Sequence, residues 1–220
     1  MNSEKIQEIL TTLKKRHEEN RLNYYEPYKF QKNFHEAGAE ANQRLLMAAN
    51  RVGKSYVGAM EMSIHLTGLY PKWWTGKKFA KPIRAWVCGA SNETTRDICQ
   101  RELFGQPDNP RDKGRGSIPK HLIGETTRKP GVPNAHSSVL VQHSSGGWSR
   151  VAFKAYEMGA EKFMGESIDL VWLDEEPSQD IYSQCITRTL DKEGQVYMTF
   201  TPESGMTEVV QNFTTDLRPK

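Results

Sequence analysis

Apolar positions recur at helical spacing in residues 3–22, where Ile6, Ile9, Leu10 and Leu13 stand among charged side chains. That pattern predicts an amphipathic helix with Ser3 available as its cap. The aromatic stretch NYYEPYKFQKNFHEAG is interrupted at Pro27 and resumes as a short helix ending at Gly38. RLLMA (44–48) is an apolar run of strand length, and Ser55 to Thr67 reads as a helix closed by Gly68. IRAWVCGA (83–90) predicts a second buried strand, followed by a helix from about Ser91 to Leu103. SSVLVQH and RVAFKAY, joined through SSGGWS, predict a β-hairpin. IDLVWLDEE (168–176) is a buried strand with an acidic end, and QVYMTFTP (195–202) is one more strand.

Strands thus alternate with helices, and several are apolar almost throughout. Continuous apolar runs need cover on both faces, which favours parallel pairing. The expected class is α/β: a mostly parallel sheet flanked by helices, with an added antiparallel hairpin. Residues 105–135 interrupt this order. They are dense in Gly, Pro, Arg and Lys and predict a long exposed loop with room for one short helix. Their cations Arg111, Lys113, Arg115, Lys120, Arg128 and Lys129 suit either a phosphate-tracking DNA surface or a lid over a small substrate.

Composition narrows the picture. The 220 residues allow one large domain or two small ones, and 36% apolar content is enough for a core. A net charge of +3 neither announces nor excludes a nucleic-acid partner. Cys88, Cys99 and Cys185 lack metal-ligand or redox spacing, as in a reduced intracellular protein. The polar start MNSEKIQEIL is unlike a secretory signal, and no apolar run approaches the ~18 residues of a membrane span.

Candidate chemistry lies at the strand ends. AANRVGKS closes on Gly53, Lys54 and Ser55, the last three positions of the phosphate-binding pattern G-x-x-x-x-G-K-[ST]. Ala48 replaces the first glycine, which is tolerable where φ is negative. Between a strand and a helix N-terminus, the loop Ala49, Asn50, Arg51, Val52, Gly53, Lys54 and Ser55 suits the phosphates of ATP. Lys54 would reach the β- and γ-phosphates and Ser55 would place its hydroxyl on Mg2+. The plainer alternative makes Gly53 a turn and Lys54 a solvated side chain. About 120 residues later LVWLDEE ends on Asp174, Glu175 and Glu176. A carboxylate at the C-terminal end of a central strand points into the crevice where α/β sheets bind ligands. Asp174 is the candidate Mg2+ ligand and Glu175 the candidate base; an acidic turn before Pro177 is the alternative. Gln31 can pair with the N6 and N7 edge of adenine, with Tyr28, Phe30 or Phe34 to stack on the ring. An exposed Gln on an amphipathic helix would look the same. Thr199, Thr201 and Pro202 form TFTP, either a γ-phosphate sensor that passes on its loss or an ordinary strand-to-turn junction.

Together PYKFQ, AANRVGKS, VWLDEE and TFTP, in this order and spacing, resemble the ATPase domain of the large terminase subunit of tailed bacteriophages. These are motors that pump viral DNA into an empty procapsid. The resemblance covers nearly all of the chain and is strongest in the two Walker segments and in KFMGESIDLVWLDEEP. It implies a RecA-like P-loop ATPase fold, with an N-terminal helical segment 1–43 carrying the adenine-reading Gln31 and an ATPase core 44–220. It implies phosphate and Mg2+ at Lys54 and Ser55, Mg2+ at Asp174, Glu175 as catalytic base, and Thr199 to Pro202 as coupling motif. The implied partners are double-stranded DNA, the procapsid portal protein, the small terminase subunit, and further copies in a ring, with a monomer expected in isolation. The implied compartment is the host cytoplasm during viral assembly.

Two departures stand out. Many members carry an Arg four residues before the loop lysine; here that position is Asn50, and Arg51 beside it becomes the candidate charge-stabilising finger in cis. Many also carry an Arg before the Gly that precedes the second Walker strand; here Met164 precedes Gly165, with Lys162 nearby and Arg150 and Arg188 as further candidates. Large terminases usually continue into an RNase H-like nuclease, and with only 18 residues after Pro202 that domain is expected to be absent from this chain. A superfamily 2 helicase-like DNA-dependent ATPase shares the same motif logic but needs a second RecA-like domain. A P-loop nucleotide or small-molecule kinase would want an Arg-bearing lid.

Overall fold

The computed structural model describes residues 3–202 and 207–215. Seven strands form one sheet: β1 (Gln43–Met47), β2 (Arg84–Gly89), β3 (Ile123–Arg128), β4 (His136–Gln142), β5 (Trp148–Ala155), β6 (Leu170–Asp174) and β7 (Gln195–Phe200). Their spatial order is β1-β7-β6-β2-β5-β4-β3. The first five in that order are parallel, and β4 and β3 add on antiparallel. The helices are α1 (Ser3–Glu19), α2 (Lys29–Glu36), α3 (Lys54–Thr67), α4 (Asn92–Thr94), α5 (Arg101–Phe104), α6 (Gln179–Leu190) and α7 (Glu208–Thr215). A π-helical stretch, Thr95–Gln100, joins α4 to α5 in one run.

The apolar strands are covered on both faces, as their continuous runs require. Successive residues feed opposite cores. Ala85, Val87, Leu170, Trp172 and Tyr197 pack with Val57, Ala59, Met62 and Leu66 of α3. Trp86, Cys88, Val171, Leu173, Val196 and Met198 pack with Ile181, Tyr182 and Cys185 of α6. Every residue of β6 and β7 is buried. At Gly58 of α3, an added Cβ would come within 2.4 Å of the Trp172 ring, so this glycine lets α3 seat directly on β6. Tyr197 then donates its OH to the Gly58 carbonyl at 2.7 Å.

The N-terminal segment joins these cores beyond α1. Phe34 of α2 packs in the α3-side core with Leu46. Leu22 and Tyr25 pack with Met60, Ile64 and Trp74. In α1 the expected helix forms, but Ser3 is its first residue rather than its cap, and Ile6, Ile9, Leu10 and Leu13 are all exposed. The hairpin forms as β4 and β5.

Residues 105–135 depart from the expected loop. They contain β3, whose sequence IGETTR has one large apolar residue and a mostly solvated burial pattern. An edge strand needs no apolar alternation, because its pairing partner supplies the hydrogen bonds. Among the described residues no helix is long and apolar enough to cross a membrane.

Candidate active site

The P-loop segment leaves β1 and turns into α3 through two left-handed residues, Arg51 (φ 66°) and Gly53 (φ 85°). Ala48 is not among the residues of positive φ, so the missing glycine costs nothing there. Gly53 caps α3, and no side chain fills that cap. The first N–H groups of the helix are therefore free to meet an anion, and the alternating backbone hand shapes a concavity for one. Lys54 is buried, with Nζ donating to the Ala49 carbonyl at 2.9 Å. This is no solvated surface lysine: its ammonium is folded over the loop.

Three motif segments meet at Asp174. Its Oδ1 accepts from the Ser55 hydroxyl at 3.0 Å and from the Thr199 hydroxyl at 2.8 Å. Thr199 Oγ1 in turn accepts from Trp172 Nε1 at 2.8 Å, which fixes its rotamer. Burial pushes the Asp174 carboxyl up to about 6, against the lowering pull of the two hydroxyls and with a further rise from Glu175. Parallel pairing of β1, β7 and β6 brings these groups together, because it puts all three C-terminal ends on one side of the sheet.

Glu175 has φ 61°, a left-handed conformation that a bulky side chain adopts only when its surroundings enforce it. Its N–H donates to the Thr199 carbonyl at 2.9 Å, and its own carbonyl accepts from Tyr156 OH at 2.9 Å. Tyr156 OH also reaches the Asp174 carbonyl at 3.1 Å, so one half-buried phenol clamps the strand end. The Glu175 side chain is exposed, and its Oε2 accepts the Thr201 N–H at 3.3 Å. The Thr201 hydroxyl donates to Asn50 Oδ1 at 2.7 Å, linking the TFTP segment to the P-loop. Pro202 follows, exposed. Glu176 turns away to Thr207 instead.

A cleft of about 390 Å3 lies beside the loop, lined by Tyr24, Tyr25, Tyr28, Gln31, Arg51, Val52, Gly53 and Tyr56 among others. Gln31 is buried, its Oε1 accepting the Tyr28 N–H at 2.9 Å in a helix cap. Its Nε2 lies 3.7 Å from the position of a Cβ on Gly53, so the amide abuts the P-loop. Of the three aromatic rings expected there, only Tyr28 lines the cleft. Phe34 is a core residue against Tyr197, and Phe30 stacks on Tyr28 from outside.

Sequence reading missed the support beneath this cleft. His35 Nδ1 lies 2.6 Å from Glu61 Oε2, and Tyr25 OH lies 2.9 Å from His35 Nε2. Arg44 donates to Glu61, to the Phe34 carbonyl at 3.0 Å and to Gln195 Oε1 at 3.0 Å. Burial alone would push Glu61 up, but Arg44 and the hydrogen bonds from His35 and His65 hold it well below the usual carboxylate range. The network bolts α2, which carries Gln31, to α3 and to the sheet. Its only sequence signal was a set of charged residues inside apolar segments.

Residues 45–220 match the family described as terminase large subunit, T4likevirus-type, N-terminal. This chain belongs to that family. The terminase large subunit of Salmonella phage P22 is 39% identical over 207 residues, covering 86% of this chain and 41% of that relative. The chain thus spans less than half the length of that curated relative. The large terminase ATPase domain of Thermus phage P74-26 superposes with a TM-score of 0.54 at 17% identity, over 86% of this chain and 70% of that one. The large terminase of a second, thermophilic bacteriophage, solved in complex with ADP, gives 0.54 at 9% identity, over 87% of this chain and 43% of that one. The fold is RecA-like.

The remaining arginine candidates of this terminase domain are spread out. Arg51 is exposed on the wall of the tyrosine cleft. Arg150 is exposed on β5, and Arg188 donates to the Gly165 carbonyl at 3.3 Å, bracing the loop before β6. Met164 in that loop is exposed.

Proposed function

We propose that this chain is a Mg2+-dependent ATPase and that, within the assembled terminase, its turnover drives double-stranded DNA into a procapsid. The observation that carries the reading is Asp174 Oδ1 shared between Ser55 and Thr199, which joins the P-loop, the acidic strand end and the TFTP segment at one carboxylate. The residues fit the cation: one buried carboxylate beside one hydroxyl is a hard oxygen set of the kind Mg2+ takes. Ser55 and Asp174 would hold Mg2+, which would supply neutralisation of phosphate charge.

The chain's own groups do the rest. The loop from Ala49 to Ser55 and the uncapped α3 N-terminus seat the phosphates, and Lys54 adds the positive charge. Gln31 reads the adenine edge, with Tyr28 beside it in the cleft. Glu175, aimed outward from a strained backbone, orients the attacking water and takes its proton. Thr201 touches both Glu175 and Asn50, so a shift at the γ-phosphate end of the loop reaches the segment after β7. The ADP in complex with the large terminase of the thermophilic bacteriophage supports a nucleotide as the ligand of this chain. By family, the partners are DNA, the portal protein, the small terminase subunit and further copies of the chain in a ring.

The test is phosphate release by wild type and Lys54→Ala, each with Mg2+ and with EDTA. Turnover is expected to vanish in the variant and in chelator. A variant that keeps near-normal turnover would sink the loop assignment.

A further inference from the structure

A second cavity lies away from the P-loop. It measures about 670 Å3 and lies where the hairpin of β3 and β4 meets the C-terminal end of α5. Its cations are Lys113, Arg128 and Lys129, with His136 among them, and no carboxylate lines it. Arg128 and His136 are cross-strand partners at the loop end of the hairpin, where residues 129–135 join its strands. By register, that end lies on the same side of the sheet as the C-terminal ends of the parallel strands. β4 is three places from β6 in the sheet, about 14 Å at the usual strand spacing, so this cavity is separate from the Asp174 site.

Three features point to a ligand. First, the cations lack counter-charge, and Lys129 Nζ meets only the neutral Met158 sulfur, at 3.5 Å. Among the described residues none of the three forms an ion pair, and the nearby Asp112 is turned to Arg115 and to the Gln106 N–H. Converging cations without counter-charge repel one another, and an anion removes that cost. Second, His136 Nδ1 is buried without a hydrogen-bond partner, while its backbone is gripped on both sides by Gln100 at 2.9 Å. Burial, with Lys113 and Arg128 alongside, holds its imidazole below the usual value, so the ring stays neutral beside the cations. Third, the walls are built. Gly114 N–H donates to the Phe104 carbonyl at 2.7 Å and Lys129 N–H to the Ala135 carbonyl at 2.8 Å, tying the loop to the helix end and closing the hairpin. Phe104, Val132 and the prolines add apolar lining, with the Phe104 ring edge-on to His136.

We propose that this cavity is a second ligand site that takes a phosphate monoester carried on a planar base. A charge of three cations suits a phosphate dianion better than a single carboxylate, and Arg offers it a planar fork. The size is that of a small-molecule pocket, whereas a duplex backbone would spread its phosphates along a groove. Two sources share this chemistry: a free nucleotide, and the 5′-phosphate end of a nucleic-acid strand.

The test is residue-resolved NMR of the 220-residue chain, titrated with AMP, with a 5′-phosphorylated single-stranded tetranucleotide, with inorganic pyrophosphate, and with an unphosphorylated duplex. Saturable shifts are expected at the amides of Thr126, Arg128, Asn134 and His136 with AMP or the tetranucleotide, and the tighter of the two names the source. Lys113→Glu with Arg128→Glu should weaken that binding at least ~10-fold, the scale of two lost charge-assisted hydrogen bonds, while ATP turnover and the thermal midpoint stay near wild type. Lys113→Arg with Arg128→Lys should retain it. Three results would overturn the proposal: no shift at these amides, binding that survives the charge reversal, or equal affinity for pyrophosphate or the unphosphorylated duplex.

Discussion

Asp174→Asn should make the protein more stable and inactive at once. Asp174 is buried, and that burial moves its carboxyl from an ordinary 3.8 up to about 6. One pKa unit is worth about 1.4 kcal/mol, so ionising Asp174 in the folded protein costs about 3 kcal/mol at pH 8. The sign follows from the direction of the shift. A folded-state value above the unfolded one favours folding below about pH 4, and that advantage is lost as pH rises through about 6. Asparagine removes the charge but keeps an oxygen for Ser55 and Thr199, losing about 1 kcal/mol of charge-assisted bonding. The net gain is about 2 kcal/mol. At roughly 2–4 °C per kcal/mol for a chain of this size, the midpoint should rise by ~4–8 °C. The assay is thermal unfolding of both proteins in EDTA from pH 4.5 to 8. The gap should be widest at pH 8 and shrink towards pH 4.5. Mg2+ with ADP should narrow it at pH 8, because the ligand stabilises only the protein that binds it. An asparagine variant less stable at pH 8, or a gap that ignores pH, would refute the burial argument.

Glu175→Gln should bind ATP nearly normally and hydrolyse it at least ~10²-fold more slowly, read by nucleotide affinity beside single-turnover rates; a matching defect in Glu176→Gln instead would move the base by one position. Gln31→Ala should erode the preference for ATP over GTP more than it weakens triphosphate binding, whereas equal losses for both would leave Gln31 as a helix cap to Tyr28 only. Thr199→Val should cost about 1–3 kcal/mol in denaturant unfolding, because it strands the buried Trp172 indole N–H and removes a hydroxyl from Asp174. An unchanged midpoint would mean the Trp172 bond contributes nothing.

What the sequence determined by itself was whatever depends on local pattern. Continuous apolar runs at 170–174 and 195–200 dictated strands covered on both faces, because a run without alternation has no side to give to water. Gly53, Lys54 and Ser55 between strand and helix dictated an anion-receptive turn, since the free N–H groups of a helix start follow from its geometry. Asp174 and Glu175 at a strand end followed in the same way. Tertiary structure alone decided which of these groups meet. Ser55 and Asp174 are 119 residues apart in the chain, and only the order β1-β7-β6 brings them to 3.0 Å, with Thr199 between. Phe34 and Tyr28 are equally aromatic and six residues apart, yet one enters the core and the other the cleft, because the face of α2 is chosen by its packing on β7. β3 was illegible because an edge strand of polar residues is defined by its neighbour's hydrogen bonds, which leave no mark on its own composition. The Glu61 network was illegible for a related reason. A buried charge reads like a surface charge until its partners, here His35, Arg44 and His65 from three separate elements, are folded around it.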